Sequence, residues 1–246
     1  MEVARTIRES VEAVARLRQQ ASADPALAEA LTAIKQLQSH RFAGTYADLL
    51  RGATYAAPAR FFLDELYGVQ DFASRDQQFG RIAGAIERTF PAQVAQTAAG
   101  LAQLHALTED LDMHLARAWV GCASASTPAL RYAMAWKELG REPDRRDQLA
   151  RVVAMGVELA RMARMPGLRT MLRMMRGPAS AAGLQELQRF LERGFDTFAG
   201  MARQRGAVET FLETVNVRET RWLALLFGAD LGACETELEQ TLGQVP

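Results

Sequence analysis

Apolar residues in this chain return every three or four positions, and no run alternates β-branched with polar residues at the period of a strand. That rhythm admits helices and little else, so the fold class it predicts is all-α. Val3, Ile7, Ser10, Val14 and Leu17 fall at spacings of four and three and give a first helix one packing seam. Asp24-Pro25, Thr127-Pro128 and Pro143-Asp144 read as helix starts, because a short polar side chain can accept the free N–H groups and proline suits the first turn. Thr45-Tyr46-Ala47-Asp48 and Ser74-Arg75-Asp76-Gln77 read as capping boxes, and Gly68, Gly140 and Gly177-Pro178 as stops. The expectation is a compact bundle of about eight to ten helices joined by short loops. No period of 34 or 40 residues is visible, which argues against a solenoid. Residues 1–246 read as a single helical domain, whose two lobes would meet at the charged loop 141–146.

Composition narrows the function classes. With 49% apolar and 24% charged residues in 246, the chain can bury a sizeable core, so disorder is excluded as its main state. Its 29 basic residues are matched by 29 acidic ones, a balance that disfavours nucleic acid as a partner. The two cysteines, Cys122 and Cys234, form no metal-binding or disulfide pattern, and a small buried thiol is the expectation for Cys122. The first twenty residues carry charges throughout and do not read as a secretory signal; no apolar stretch reads as a transmembrane helix. A cytoplasmic location is the expectation.

Five segments, HRFAGTYADLL (His40–Leu50), RFFLDELYG (Arg60–Gly68), DFASRDQQF (Asp71–Phe79), LHALTEDLD (Leu104–Asp112) and MRGPASAAGLQELQRFLERGF (Met175–Phe195), resemble an uncharacterised all-helical bacterial family. The resemblance implies a helical fold and brings no reaction or ligand with it.

Charge in an unexpected place marks the best candidate site. On a helix from about Pro91 to Val120, Leu101, Leu104, Thr108, Leu111, Leu115 and Trp119 share one face, with Asp112 near its middle and His105 and Glu109 at its flank. A buried carboxylate requires a cation or hydrogen-bond donor from another element, and Arg41, Arg60 or Arg75 are the candidates. Three roles compete for this cluster. It can lock helices together, line a small-molecule pocket, or hold iron, manganese or zinc through His105, Glu109 and Asp112 with Glu65 and His40. The paired Glu-x-x-His motifs of di-metal bundles are absent.

Between His40 and Phe79 charges interleave with aromatics, and Glu65, Tyr67, Asp71 and Arg75 form a candidate interaction surface. Arg161–Arg176 holds five arginines and no acid, with Leu168, Met171, Leu172 and Met175 on a different face from Arg169, Arg173 and Arg176. Such a helix packs through its apolar face or touches an anionic membrane surface. Phosphate-loop, dinucleotide, nucleophile-elbow and zincin motifs are all missing. The leading expectation is therefore a non-catalytic helical interaction or regulatory protein, binding another protein or itself and needing no cofactor. Its rival is a small-molecule or metal-binding protein, with a metal-dependent enzyme as the extreme case, centred on His105, Glu109 and Asp112.

Overall fold

The computed structural model of the chain describes residues 2–65 and 72–245. Thirteen helices and no strand occur among them: α1 (Glu2–Ser22), α2 (Pro25–Thr45), α3 (Ala47–Arg51), α4 (Ala56–Glu65), α5 (Ala73–Thr89), α6 (Ala92–Gly121), α7 (Pro128–Leu139), α8 (Glu142–Ala163), α9 (Leu168–Met174), α10 (Arg176–Ala181), α11 (Gln185–Met201), α12 (Ala207–Gly228) and α13 (Leu231–Leu242). The excess over eight to ten comes from short pieces, α3, α9 and α10, of 5, 7 and 6 residues. Single turns of this kind carry too little periodicity to be seen in a sequence.

Local chemistry sets several of these ends. The Asp24 carboxylate accepts from the N–H groups of Ala26 and Leu27, and the Thr127 hydroxyl accepts from that of Leu130, each ahead of a proline that opens its helix. Gly140, at φ 61°, closes α7 in the left-handed region. The capping boxes are corrected. Thr45 is the last residue of α2 and its hydroxyl accepts from the Trp222 indole, while Ser74 lies inside α5 and accepts from Gln78. In both cases a tertiary or side-chain partner takes the oxygen that a cap would need. Gly177-Pro178 does not stop a helix either, since it lies within α10. Gly68, Tyr67 and Asp71 fall outside the described residues.

Helix α6 is the axis, packing against α1, α2, α7 and α8. Because it is covered from several sides, Leu104, Glu109, Leu111, Asp112, Met113, Leu115 and Trp119 are all buried. Ile34, Leu115, Trp136, Leu226 and Leu238 unite α2, α6, α7, α12 and α13 in one apolar cluster, and Phe42, Tyr46, Phe62, Phe198 and Phe211 unite α2, α4, α11 and α12 in a second. Each such side chain contributes roughly 1.5–3 kcal/mol on burial. On α1 the buried line runs Ala4, Ile7, Ser10, Val14 and Ala21, with Val3 and Leu17 at its edge, and meets α5 and α6 through a third cluster. Gly44 permits the closest helix crossing: a Cβ there would lie 1.9 Å from the Thr241 carbonyl oxygen of α13.

Candidate functional site

Two acidic residues of α6, Glu109 and Asp112, are buried, and each meets a cation from a different helix. Asp112, 3% exposed, accepts from Arg145 Nη2 of α8 and Gln38 Nε2 of α2, both at 3.1 Å. Glu109, also buried, accepts from Lys35 Nζ of α2 at 2.7 Å. His105 Nε2 lies 2.9 Å from Asp76 Oδ2 of α5, an oxygen that also accepts from Arg18 Nη2 of α1 at 2.6 Å. Burial alone would push the Asp76 carboxyl up, but the hydrogen bonds and charges of His105 and Arg18 outweigh it and hold the group below its usual range.

The expected partners of Asp112 are corrected by this geometry. Arg41 is buried, but its guanidinium grips Glu219 of α12 with two bonds of 3.1 and 2.8 Å, and Tyr46 donates to the same carboxylate. Arg75 pairs with Glu65 at 3.2 Å and lies 3.9 Å from the ring centroid of Phe72 and 4.5 Å from that of Phe190. Burial draws the Arg75 guanidinium below its ordinary value, against the pull of Asp76 and Glu65. Arg60 is exposed. The cation that does serve Asp112, Arg145, belongs to the 141–146 segment read from sequence as a lobe boundary, and Arg141 of that segment reaches Asp110 at 2.6 Å.

The metal reading fails to assemble. His105, Glu109 and Asp112 diverge to Asp76, Lys35 and Arg145, Glu65 goes to Arg75, and His40 sits on the exposed side of α2. Among the described residues no three His, Cys, Asp or Glu side chains converge as metal ligands do. Of the candidate interaction surface, Glu65 and Arg75 face one another, each with a side chain 12% exposed, while Arg193 also reaches Glu65 at 3.0 Å. Tyr67 and Asp71 lie outside the described residues.

Instead of a metal cage, the polar side chains border a cavity of ≈ 140 Å³. Lys35, Gln38 and Arg41 enter its lining from α2, His105, Glu109 and Asp112 from α6, and Tyr132 and Trp136 from α7, with Arg145 and Gln148 from α8. Arg145 Nη1 donates to Gln148, whose own amide donates to Thr108, and the Arg145 guanidinium lies 4.8 Å from the Trp136 ring centroid. Within this corner three buried polar atoms lack a hydrogen bond of good geometry: the Tyr132 hydroxyl, Trp136 Nε1 and Arg145 Nε. Burial raises the Tyr132 phenol above its ordinary value, although Arg41, Arg145 and the nearby Trp136 N–H each favour its anion. The indole N–H and the phenol oxygen are thus neighbours that interact, and none of the three atoms has surface open to the cavity. The sequence alone does not single out Tyr132, Trp136 or Arg145: two aromatics and an arginine in a segment that reads as a loop carry no signal until 142–146 is seen to be the first turn of α8, packed with α7 beside α6.

Elsewhere the expectations meet ordinary packing. Cys122 is buried and burial raises its thiol above the usual value. In the Arg161–Arg176 segment Leu168 and Leu172 are buried, Arg169 pairs with Asp196 and Arg176 with Glu192 of α11. Met174 is 74% exposed. No helix among the described residues is long and apolar enough to cross a membrane.

Residues 17–231 match the family described as a domain of unknown function (DUF8198), and the chain belongs to that family. Neither a curated protein nor a solved structure matches it.

Proposed function

We propose that the protein is a helical small-molecule-binding protein whose site is the cavity that α2, α6, α7 and α8 line together with α4, α5, α11 and α12. The observation that carries this reading is a cavity of ≈ 140 Å³ into which Gln38, His105, Glu109, Asp112 and Gln148 bring polar groups among the apolar side chains of Phe42, Phe62, Leu104 and Leu149. Apolar walls with a few convergent polar groups are the usual make-up of such a pocket. The alternative of a protein-interaction module draws on Glu65, Tyr67, Asp71 and Arg75; of these, Glu65 and Arg75 are engaged with each other inside the molecule, and Tyr67 and Asp71 lie outside the described residues.

The test uses the three tryptophans as separate reporters, since each gives its own indole N–H resonance and Trp222 is already bonded to Thr45. Titrating acetamide into ¹⁵N-labelled protein is expected to move the Trp136 resonance saturably while that of Trp222 stays in place. A Trp136 resonance indifferent to the probe contradicts the proposal.

A further inference from the structure

A second cavity, also ≈ 140 Å³, adjoins the first and has a different character. Phe62, Phe79, Leu101, Leu104, Val152 and Phe190 line both. Beyond them the lining continues through Phe90, Val94, Met155, Leu159, Leu168 and Leu172, and not one charged side chain joins it. Along α6 and α8 the first cavity forms the polar half of the space and the second the apolar half.

The one polar side chain of the second lining is Thr97, and its hydroxyl donates to the Gln93 carbonyl at 2.8 Å. A water molecule needs two to four polar partners to settle in a void, and these side chains offer it that hydroxyl oxygen at most. A hydrocarbon needs none. A charged group drawn into this lining would lose its hydration with no partner in return. Close-packed interiors hold few voids larger than a water, and a larger side chain at Val94 or Ala98 would narrow this one, yet the sequence keeps both small.

Shape narrows the occupant further. Helices α6 and α8 are antiparallel, with Asp112 bonded to Arg145 at one end and Gln93 to Glu158 at the other. The second lining runs from Val94 to Leu104 on α6 and from Val152 to Met162 on α8, about 15 Å along each helix at the α-helical rise. Drawn out over that length, ≈ 140 Å³ makes a slot and not a ball. Val94, Ala98 and Leu101 of α6 and Val152, Met155 and Leu159 of α8 are all only partly buried, so the slot is not sealed from solvent. Met155 and Met162 bring unbranched, polarizable side chains that repack around a guest.

We infer that the second cavity is a binding site for an unbranched, uncharged hydrocarbon chain of about six to eight carbons, since a void of closely similar volume lined by leucine and phenylalanine takes a benzene ring. The site is separate from the one proposed above: Met155 and Met162 line the second cavity alone, as Trp136 lines the first alone.

Titration of the full chain with n-hexane, followed by the methionine ε-methyl ¹³C resonances, tests it. The Met155 and Met162 signals are expected to move saturably, while those of Met113, buried in another cluster, and Met174, 74% exposed, stay in place. Neohexane, the branched isomer with the same carbons in a rounder shape, is expected to bind more weakly, and hexanoate at least about tenfold more weakly. Val94→Phe, which fills the slot from α6, is expected to abolish the n-hexane response. Should that variant not fold, the three ligands on the unaltered chain decide alone. Neohexane binding as tightly as n-hexane overturns the chain-shaped slot, and hexanoate binding as tightly overturns the uncharged class. Met155 and Met162 signals indifferent to n-hexane up to its solubility limit overturn the site itself.

Discussion

The polar cavity and a second, apolar cavity of ≈ 140 Å³ both run along α6 and α8, yet they solve opposite problems. In the apolar half the lining has nothing to satisfy, and the void costs only the contacts its walls forgo. In the polar half every full charge has found a counter-charge, through Arg145–Asp112, Lys35–Glu109, Arg41–Glu219 and Arg75–Glu65, while smaller polar groups have been left over. The difference teaches that ion pairs here act as scaffold. What remains for a ligand is the rest of the cavity lining, where Gln38, Thr108 and Gln148 add neutral polar groups.

The largest effect separating the halves is expected from Asp112→Ala, which strands the Arg145 guanidinium in a buried site and costs about 3–5 kcal/mol in urea unfolding. Replacing both partners, Asp112→Leu with Arg145→Met, is expected to recover most of that loss. If the double variant is as unstable as the single, the pair stabilises through something other than charge compensation. Next comes Leu104→Ala, at the wall shared by the cavities, with an expected cost of about 2–3 kcal/mol and the two voids merged into one. A 6%-exposed leucine beside an existing void has neighbours free to relax, so a loss near 5 kcal/mol would show that the wall is packed on both sides.

These two positions also show where sequence reading succeeds. Asp112 is legible as an inward carboxylate because a helical wheel needs only local spacing, and the Asp24, Thr127 and Gly140 helix ends are legible for the same reason. Its partner is not legible. Arg145 arrives through the antiparallel register of α6 and α8, a relation between segments that no window of sequence contains. His40 and Arg41 illustrate the sensitivity: one step along α2 turns about 100°, so His40 meets solvent while Arg41 reaches Glu219. Thr45 and Ser74 carry capping grammar, but tertiary demand for their hydroxyls overrides it. Tyr132 and Trp136 look like any core aromatics, and only the placement of α7 beside α6 and α8 brings them to the edge of the cavity.

Smaller effects sharpen the comparison further. Asp76 at the margin of the polar half has a carboxyl held below its usual range, so the unfolded chain takes up its proton first as pH falls. Its stabilising contribution is complete above about pH 4, the ordinary aspartate range, and is lost as pH drops through the folded value. Asp76→Asn is therefore expected to flatten the acid side of the stability profile, read as urea midpoints at roughly pH 5 and pH 3. An unchanged slope would mean that Arg18 and His105 do not favour the charged form. In the apolar half, Val152→Ile extends a side chain into empty space and is expected to stabilise by about 0.5–1 kcal/mol. Destabilisation there would show the void to be smaller than the structure draws it.

The smallest change in energy carries the most meaning. Tyr132→Phe deletes one buried oxygen and nothing else, and the urea midpoint of the ligand-free protein reports whether that oxygen had a partner. An oxygen left without a partner in the packed core gives no change or a gain of up to about 1 kcal/mol. A loss of more than about 1 kcal/mol would mean that the hydroxyl is already satisfied inside the protein, by the Trp136 N–H beside it.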